Sequence, residues 1–395
     1  MCNLKDHNLS DLKKNELIEF RRLLHQNPEL SFKELETTKR ISSFLENEGL
    51  NTIKFKDLTG LFVELEGVAN DSLPLILVRA DIDALPIKDL KECSYKSKND
   101  GVMHACGHDV HTTSVLGMIL ILNELRHKIP FRVRAVFQPA EELGLGALAL
   151  VKQDILSGVD YAISLHVDPL VPLGKIAIRS GPINATVREI KITFKGRPTH
   201  AARMYQGIDA IGAACSFVNM AYADIPRRID ARDPHLLYFG SFHGGYASNI
   251  VADEVTILGT IRAFTSEVSD KILDELMLIG KAVSLSSGAD FHLEENINVK
   301  PVINNPLVSN AIYEAGKNIL GEKNIITDLP ASMGGEDFGA IMEHVPGAMM
   351  RLGVAPECGK APPVHTQYFD VPEECIFIAA SILAESVLKL SGINT

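Results

Sequence analysis

The chain has 395 residues, of which 46% are hydrophobic and 23% are charged, and its formal net charge is -11. This length allows two domains, and the composition is that of a globular protein with a sizeable core. The acidic balance disfavours nucleic acid and anionic membranes as partners. The N-terminal residues lack an apolar core of signal-peptide length, and no apolar run is long enough to span a membrane. We therefore expect a cytoplasmic protein.

The six cysteines show no regular framework along the sequence. They stand at positions 2, 93, 106, 215, 358 and 375. A chain of this size does not need disulfide bonds for stability. We expect most of these cysteines to be reduced and structural.

The first half of the chain alternates between helix-like and strand-like segments. Residues 11–49 predict one or two helices, since apolar residues recur there at helical spacing. Strand-like apolar runs lie at 74–86, 131–142 and 161–167, with helix-like stretches between them at 109–125 and 143–156. Alternation over this length predicts a parallel sheet with right-handed crossovers.

Titratable side chains stand at the ends of these strand-like runs. Asp81 and Asp83 end the first run, Glu141 and Glu142 end the second, and His166 lies near the end of the third. Because parallel strands end at one edge of a sheet, where ligands usually bind, we expect these side chains to converge. Singly, each has a structural interpretation, as a turn cap, a solvated strand end or a core imidazole. Their joint placement favours a functional site.

The densest cluster of potential metal ligands is segment 103–113, which reads Met-His-Ala-Cys-Gly-His-Asp-Val-His-Thr-Thr. Cys106 and His108 flank a glycine, so a turn there could direct both side chains at one ion. Thiolate with imidazole suits zinc or a similar transition metal. The helix predicted to begin near Asp109 would turn its amide end towards the cluster, which favours a thiolate. The cluster alone leaves a buried, structural cysteine as an alternative.

The pattern changes after Gly181, where half-buried alternation replaces fully apolar runs. The segments here are strand-like at 187–194, helix-like at 207–222, strand-like at 236–242 and 254–264, and helix-like at 270–283. This order predicts a small α+β layer with an antiparallel sheet. From about residue 301 helix and strand material returns, and it ends in an apolar helix at 373–390.

We therefore predict an α/β fold with two domains. A mainly parallel-sheet domain comprises residues 1–182 and 294–395 and is discontinuous in sequence. An α+β domain, residues 183–293, is inserted into it. The two chain crossings, near 183 and 293, would allow hinge motion between the domains.

Taken together, these residues resemble the M20 metallopeptidases. Within that family they are similar to the amidohydrolase branch, which includes hippurate hydrolases, auxin-conjugate hydrolases and N-acetyldiaminopimelate deacetylases. The resemblance covers nearly the whole chain, and the motifs occur in the family's order. They are segments 21–34, 79–87, 103–113, 138–142, 165–166, 200–202 and 335–338, together with His365.

The resemblance implies a hydrolase of linear amide bonds with two divalent ions per subunit, Zn, Mn, Co or Ni. The family's metal ligands fall on Cys106, His108, Glu142, His166 and His365. Its catalytic carboxylate falls on Glu141, and its supporting aspartate falls on Asp81. Asp83 and Asp109 are weaker candidates for supporting the ligands, whereas His104 and His111 are not expected to bind metal.

The implied reaction is hydrolysis of an N-acyl amino acid, hippurate-like or N-acetylated, to a carboxylate and a free amino acid. The ions would lower the pKa of a water and polarise the substrate carbonyl. Glu141 would take the proton of the water and pass it to the leaving amine. The family pattern also implies a homodimer built on the inserted domain, which acts as a lid. There His200 would stabilise the oxyanion in the partner's site, and Asn249 and Arg262 would hold the substrate.

The chain departs from the family pattern around His200. Pro198-Thr199 stands where Gly-Gly is usual, and residues 202–205 read Ala-Arg-Met-Tyr in place of Ala-x-Pro-His. Substrate preference is therefore open. Arg203 and Tyr205 either lie near the substrate or belong to the domain surface.

Three alternative functions remain open. One is a dipeptidase or carboxypeptidase of the same fold, and another is a metal- or peptide-binding homologue without catalysis. The third is a thiol enzyme in which Cys106 is the nucleophile and His108 its base. The further Glu and His residues at strand ends disfavour the thiol enzyme, because a Cys-His pair does not need them. The presence of both Glu141 and Glu142 disfavours a non-catalytic protein.

Overall fold

The computed structural model describes residues 9–68, 70, 72–356 and 361–393. Of the six cysteines, most of which were expected to be reduced, Cys2 and Cys358 lie outside the described residues. The other four, Cys93, Cys106, Cys215 and Cys375, carry free thiols.

Two compact units make up the chain. The first comprises Met1–Gly181, Ile303–Pro330 and Asp337–Thr395, and the second comprises Pro182–Val302 and Ala331–Glu336. In chain order the described helices are α1 (Asp11–Gln26), α2 (Leu35–Asn47), α3 (His108–Leu125), α4 (Gly146–Val151), α5 (Ala210–Arg228), α6 (Ser266–Ser287), α7 (Pro306–Leu320), α8 (Gly339–Met342) and α9 (Glu374–Leu390). The described strands are β1 (Thr52–Lys54), β2 (Leu61–Glu66), β3 (Leu75–Asp81), β4 (Arg132–Gln138), β5 (Val159–Pro172), β6 (Ile176–Ala177), β7 (Gly181–Asn184), β8 (Thr186–Lys195), β9 (His235–Gly244), β10 (Glu254–Ala263), β11 (Asp290–Val299), β12 (Val302–Asn304), β13 (Ile325–Ile326) and β14 (Gly347–Ala355).

The first unit is built on one large sheet. Its described strands follow the order β1-β2-β4-β3-β5-β14-β6-β13. The central pairs β4–β3, β3–β5 and β5–β14 are parallel, whereas β1 and β2 add an antiparallel edge. β3 is buried along its whole length, as expected for a central strand covered on both faces. The predicted α/β fold with a mainly parallel sheet is confirmed.

Helix α3 lies at the centre of the first unit. It packs against α1 and α9, and it is buried on nearly every side, which suits its almost uniformly apolar sequence. Its first turn is tied to the end of β3, because Thr112 Oγ1 donates to the backbone oxygen of Asp81 at 2.9 Å. The start of α3 is thereby fixed beside the carboxyl end of β3.

The second unit contains a four-stranded antiparallel sheet, in the order β11-β8-β10-β9. Helices α5 and α6 pack against this sheet around a separate apolar core, which includes Ile192, Phe194, Phe217 and Leu276. The predicted antiparallel α+β layer is present in this unit. Among the described residues, no helix combines the length and the apolar character that crossing a membrane requires.

One strand of the second unit was not among the predicted elements. This strand is β11, and the predicted domain boundary at residue 294 falls inside it. The alternation of apolar residues in β11 is interrupted by three polar residues at 294–296. The structure has a bulge there, between Glu295 and Ile297, although the apolar residues on either side, Phe291, Leu293, Ile297 and Val299, keep a period of two.

Candidate metal centre and active site

The side chains predicted as metal ligands lie together in the first unit. Cys106 Sγ is 3.4 Å from His166 Nε2 and 3.3 Å from His365 Nε2. Glu142 Oε2 is 3.6 Å from His365 Nε2, and Glu142 Oε1 is 3.8 Å from His108 Nε2. Within each of the groups Cys106–His108–His166, Cys106–Glu142–His365 and His108–Glu141–Glu142, the donor atoms lie within 4.8 Å of one another. A thiolate, imidazoles and carboxylates at this spacing suit a transition metal.

A left-handed glycine separates two of these ligands. Gly107 has φ +86°, a conformation that costs other residues about 1–2 kcal/mol. A Cβ on Gly107 would also lie 2.6 Å from Val167 Cγ2. The turn at Gly107 places Cys106 just before α3 and His108 at its first residue, so both side chains reach the same group of donor atoms.

Hydrogen bonds on the far ring nitrogens orient two of the imidazoles. His108 Nδ1 is 2.9 Å from the backbone oxygen of Asp83 and 3.2 Å from its Oδ1. His166 Nδ1 is 2.7 Å from the backbone oxygen of Val167. These partners leave each Nε2 directed at the cluster, and His108 Nε2 has no hydrogen-bond partner among the described residues. A metal-binding histidine characteristically has this arrangement.

Asp83 links His108 to the two glutamates. Its Oδ1 accepts a hydrogen bond from the amide N–H of Glu141, and its Oδ2 accepts one from the amide N–H of Glu142, both at 3.1 Å. Ser31 Oγ donates to the same Oδ2 at 2.7 Å. Hydrogen bonds and the neighbouring His108 outweigh the effect of burial and lower the pKa of Asp83, so its carboxylate is ionised. Asp83 was expected only as a weaker candidate, whereas in the structure it contacts both glutamate amides.

Asp81 and His111 form a second pair of buried side chains in contact with each other. Asp81 Oδ1 lies 2.7 Å from His111 Nδ1, and Asp81 Oδ2 accepts from Arg79 Nη1 at 2.7 Å. His111 Nε2 accepts from the amide N–H of Val167 at 2.9 Å. Both ring nitrogens of His111 therefore have partners within the protein. Burial alone would raise the pKa of Asp81, but His108, His111 and Arg79 hold it well below its ordinary value.

Two of the predicted ligands have a raised pKa because they are buried. Burial raises the pKa of Glu142 to about 7, an effect that the charge of His108 opposes and the charge of Asp83 increases. Burial also raises the pKa of the Cys106 thiol well above its ordinary value. A divalent cation beside these groups would oppose both shifts, because its charge favours the thiolate and the carboxylate.

His104 and Asp109, the remaining candidates in segment 103–113, are buried but have surroundings different from those of the predicted ligands. Burial lowers the pKa of His104 to about 4, and neither of its ring nitrogens has a hydrogen-bond partner in the part of the chain that the structure describes. Asp109, in the first turn of α3, lies 2.8 Å from both Arg21 Nε and His25 Nδ1. Asp109 thus connects α3 to α1.

This connection was not predicted from the sequence. Arg21 and His25 stand four residues apart in α1, on the same face as the apolar Leu17 and Leu24, and all four are buried. Charged residues within an apolar stripe are a signal that a buried partner is required. The identity of that partner, Asp109, was not available from the pattern.

The predicted substrate-binding residues lie in the second unit. His200 is exposed and precedes a short 3-10 segment, Ala201–Gln206, and its Nδ1 accepts from the amide N–H of Ala202 at 3.1 Å. The amide N–H of Ala201 donates to the backbone oxygen of Asn249 at 2.9 Å, so the segments of His200 and Asn249 are neighbours. Arg262 lies on β10 and donates from Nη1 to the backbone oxygen of Met333 at 2.7 Å.

For two further residues of the second unit, the sequence left two interpretations open, contact with the substrate or a place on the domain surface. Arg203 and Tyr205 both lie exposed in the 3-10 segment, and Tyr205 is 83% exposed. Within the second unit they are surface residues. Their relation to a substrate stays a prediction.

The fold and the cluster together are typical of metal-dependent hydrolases, since metal-binding side chains gather beside an acidic residue beyond the ends of parallel strands. The model of peptidase family M20/M25/M40 matches residues 77–389. The chain therefore belongs to this family, and the predicted family and hydrolase class are confirmed.

Known proteins resemble the chain over nearly its whole length. It is 33% identical to the N-acetyl-L-cysteine deacetylase of Bacillus subtilis over 387 residues, covering 98% of this chain and 91% of that protein. It is 32% identical to thermostable carboxypeptidase 2 of Saccharolobus solfataricus, with 95% of each chain covered. Among solved structures, the Bacillus subtilis YXEP protein, a dinuclear metal-binding peptidase of the M20 family, matches with a TM-score of 0.85 and 30% identity. That match covers 98% of this chain and 100% of the other.

Proposed function

We propose that this protein is a metal-dependent amidohydrolase that cleaves the amide bond of N-acyl amino acids, releasing a carboxylate and a free amino acid. The observation that carries the proposal is the pairing of Glu141 with Glu142 beside His108. Their carboxylates lie 3.7 and 3.8 Å from His108 Nε2, so one carboxylate can bind metal while its neighbour handles protons. The similarity to a deacetylase of N-acetyl-L-cysteine supports an N-acyl substrate.

The donor set fits two divalent ions, and we propose Zn, Mn, Co or Ni. Two of the donor atoms, His108 Nε2 and Glu142 Oε1, are buried without a hydrogen-bond partner among the described residues, a costly arrangement unless a ligand binds them. Cys106 belongs both to the group with His108 and His166 and to the group with Glu142 and His365, so its thiolate would be a ligand in either group. When bound, the ions would activate a water and polarise the scissile carbonyl.

Glu141 is the proposed general base and acid. It would accept the proton of the attacking water at its carboxylate and donate it to the leaving amine nitrogen. Its amide N–H bonds to Asp83, which fixes the backbone from which the carboxylate projects. Asp81 would support this chemistry indirectly, because it holds His111 at one oxygen and carries a negative charge 3.8 Å from His108 Nε2.

The second unit would supply the substrate contacts. His200 is the proposed donor to the oxyanion in the site of a partner subunit, and Asn249 and Arg262 would bind the substrate, with the guanidinium suited to a carboxylate. A homodimer through this unit is supported by β9, which ends the sheet. Strand β9 exposes Leu236 at 41%, Tyr238 at 57% and Phe242 at 42%. The free thiols fit a cytoplasmic location, which is part of the proposal.

The test is hydrolysis of a panel of N-acetyl and N-benzoyl amino acids by the purified protein, before and after chelation and after return of each metal. About two bound ions per chain and hydrolysis that is lost on chelation and restored by metal would support the proposal. Hydrolysis that survives complete removal of metal would favour Cys106 as a nucleophile.

A carboxypeptidase is the second candidate, since a thermostable carboxypeptidase is among the relatives that match over nearly the whole chain. Dipeptides belong in the same panel for this reason. Faster hydrolysis of dipeptides than of N-acetyl or N-benzoyl amino acids would favour this candidate. Bound metal without turnover on any of these substrates would favour a non-catalytic homologue.

A further inference from the structure

We infer that Glu34, a residue outside the predicted site, is a positioning residue that holds the backbone from which Glu141 and Glu142 project. This inference rests on the proposed function, because it concerns the carboxylates to which that function assigns catalysis and metal binding. Glu34 does not touch a substrate or a reacting atom in this role. It acts through the peptide segment that joins β4 to the two glutamates.

The Glu34 carboxylate is completely buried at the start of α2. Its Oε1 accepts a hydrogen bond from the amide N–H of Ala140 at 2.9 Å, and its Oε2 accepts one from Thr59 Oγ1 at 2.6 Å. A buried carboxylate is costly unless its oxygens are bonded, and hydrogen bonds to a charged acceptor are among the stronger ones. Glu34 therefore makes a specific contact with the residue just before Glu141.

Ala140 is the point at which this contact matters most. Its backbone has φ +55° and ψ +40°, the left-handed region that residues with a Cβ rarely adopt. A non-glycine residue stays in this region only when surrounding contacts hold it there. The Ala140 conformation starts the 3-10 turn Glu141–Leu143, and so it sets the directions in which both glutamate side chains leave the backbone.

Two buried carboxylates accept all three amide N–H groups at the start of this turn. Glu34 binds the amide of Ala140, and Asp83 binds the amides of Glu141 and Glu142. The first N–H groups of a helical turn have no partner within the turn itself, so external acceptors decide where the turn sits. The pair Glu34 and Asp83 provides those acceptors.

Both acceptors are braced by the same loop, residues 27–34, between α1 and α2. Ser31 in this loop donates to Asp83 Oδ2 at 2.7 Å. The amide N–H of Ala84 donates to the backbone oxygen of Glu29 at 2.9 Å, which ties the loop to the chain just after Asp83. The N-terminal loop thus bonds to both sides of the turn that presents the glutamates.

The main test compares Glu34→Ala with Glu34→Gln. The alanine variant loses the bond to Ala140, so we expect kcat to fall about 10- to 100-fold and KM to change less than about threefold. We also expect the affinity for added Zn²⁺ or Mn²⁺ to fall by about tenfold, since Glu142 is a proposed ligand. The glutamine variant should keep most of the activity, because its amide oxygen can accept from Ala140 and the Thr59 hydroxyl can accept from its NH₂ group.

Glu29→Ala is the matched control. The Glu29 carboxylate accepts two amide N–H bonds at the start of α2, from Thr37 at 2.7 Å and Glu36 at 3.2 Å. The bond from Ala84 uses the backbone oxygen of Glu29, which the substitution retains. Loss of the carboxylate should lower thermal stability while leaving kcat and metal affinity near the wild-type values. If Glu29→Ala reduced kcat as much as Glu34→Ala does, the effect would be one of general stability and the inference would be wrong.

Hydrogen–deuterium exchange gives a readout that does not depend on turnover. In metal-free protein, Glu34→Ala should speed exchange in the peptide that contains residues 138–146, whereas Glu29→Ala should not. If Glu34→Ala fails to fold, Thr59→Val serves in its place, since it removes one of the two bonds to the carboxylate and should give smaller changes in the same direction. Unchanged exchange and unchanged metal affinity in the variant that folds would overturn the inference.

These measurements separate the inference from the proposed function. A wild-type protein that hydrolyses none of the amides in the panel would contradict the proposed function. Exchange and metal affinity would still report whether Glu34 holds the turn at Ala140.

Discussion

At the scale of single residues, the cluster depends on imidazole rings whose two nitrogens have different partners. His108 directs Nδ1 to the backbone oxygen of Asp83 and leaves Nε2 facing Glu141 and Glu142. His111 uses both nitrogens, one with Asp81 and one with the amide of Val167. The two imidazoles come from the same turn of α3, yet only His108 retains a nitrogen suited to a metal. Hydrogen bonding, more than residue type, distinguishes the proposed ligand from the imidazole proposed to support it.

Glu141→Gln provides the prediction at this scale. The amide cannot take a proton from water, so we expect kcat on the best substrate to fall by a factor of about 10²–10⁴. Metal content should remain at the wild-type value, because the proposed ligand is Glu142. Kinetics together with elemental analysis of the purified variant check both parts. Loss of metal along with activity would mean that Glu141 is itself a ligand and that the two roles need to be exchanged.

At the scale of elements, the turn before α3 fixes the spacing of two proposed ligands. Residue 107 has a positive φ, and a Cβ added there would lie 2.6 Å from Val167 Cγ2. Relief of that contact would require a shift of Val167 or of the turn that carries Cys106 and His108. The turn at Gly107 is therefore a point at which backbone conformation and metal binding are coupled.

We expect Gly107→Ala to lower the free energy of unfolding by more than about 2 kcal/mol, because it adds a steric contact to the backbone strain. We also expect it to weaken metal binding. Gly101→Ala is the matched control, since Gly101 has φ +78° but a Cβ added there would have no heavy atom within 4 Å. Its cost should be that of the strain alone, about 1–2 kcal/mol, with metal binding unchanged. Urea unfolding and metal titration check this pair, and equal effects of the two substitutions would refute the role of Val167.

Helices α1 and α3 are joined by a buried ion pair. Arg21 Nε and His25 Nδ1 both lie 2.8 Å from Asp109 Oδ2. Burial alone would raise the pKa of Asp109, but Arg21 and His25 outweigh it and hold that pKa well below the ordinary value. Such a carboxylate stabilises the fold above its unfolded pKa of about 3.9, and this contribution is lost as the pH falls through its lower folded pKa.

Asp109→Asn should therefore destabilise the protein by about 3 kcal/mol at pH 7, because it removes the charge of the carboxylate closest to the buried Arg21. The difference from the wild type should narrow as the pH falls below about 3.9. Asp100→Asn is the control, as Asp100 is exposed and pairs only at the surface, with Lys88 at 3.2 Å. Urea unfolding at a series of pH values measures both variants. A difference that stayed constant down to the acid limit would show that the charge of Asp109 is not responsible.

At the scale of the whole molecule, the proposed mechanism divides its residues between the two units. Glu141 and the proposed metal ligands belong to the first unit, and His200, Asn249 and Arg262 belong to the second. Each unit has its own apolar core. The proposal that His200 serves a partner subunit makes a specific prediction for dimers that combine two variants.

Mixed dimers of Glu141→Gln and His200→Ala provide that test. If His200 acts in the partner's site, each mixed dimer has one site with an intact Glu141 and an intact His200. Co-expression of the two inactive variants should then restore about a quarter of the wild-type activity, because about half of the dimers are mixed and half of their sites are complete. Mixed dimers purified through two different tags should have about half of the wild-type activity, since half of their sites are complete, and they give the measurement. Absence of restored activity in verified mixed dimers would place His200 in the site of its own subunit, and a His200→Ala variant that is active by itself would place His200 outside catalysis.

The fold class and much of the local order could be predicted from the pattern of residues alone. Fully apolar strands alternating with helices require a parallel sheet covered on both faces, and the half-buried alternation after Gly181 requires a separate antiparallel layer. These patterns are local, so they can be recognised within a short segment of sequence. Strand β11 was missed, although its apolar residues alternate, because three polar residues at 294–296 separate them into two short runs at the bulge.

Which side chains meet depends on the packing of elements that are distant in the chain. Cys106 and His365 are 259 positions apart, and Glu34 and Ala140 are 106 apart, yet each pair is in contact. The apolar face of α1 marks Arg21 and His25 as buried polar side chains, but its pattern does not reveal that Asp109 is their partner. A hydrophobic pattern reports which face of an element is buried. The partner of a buried polar group depends on how distant elements pack, and that is fixed only when the whole chain folds.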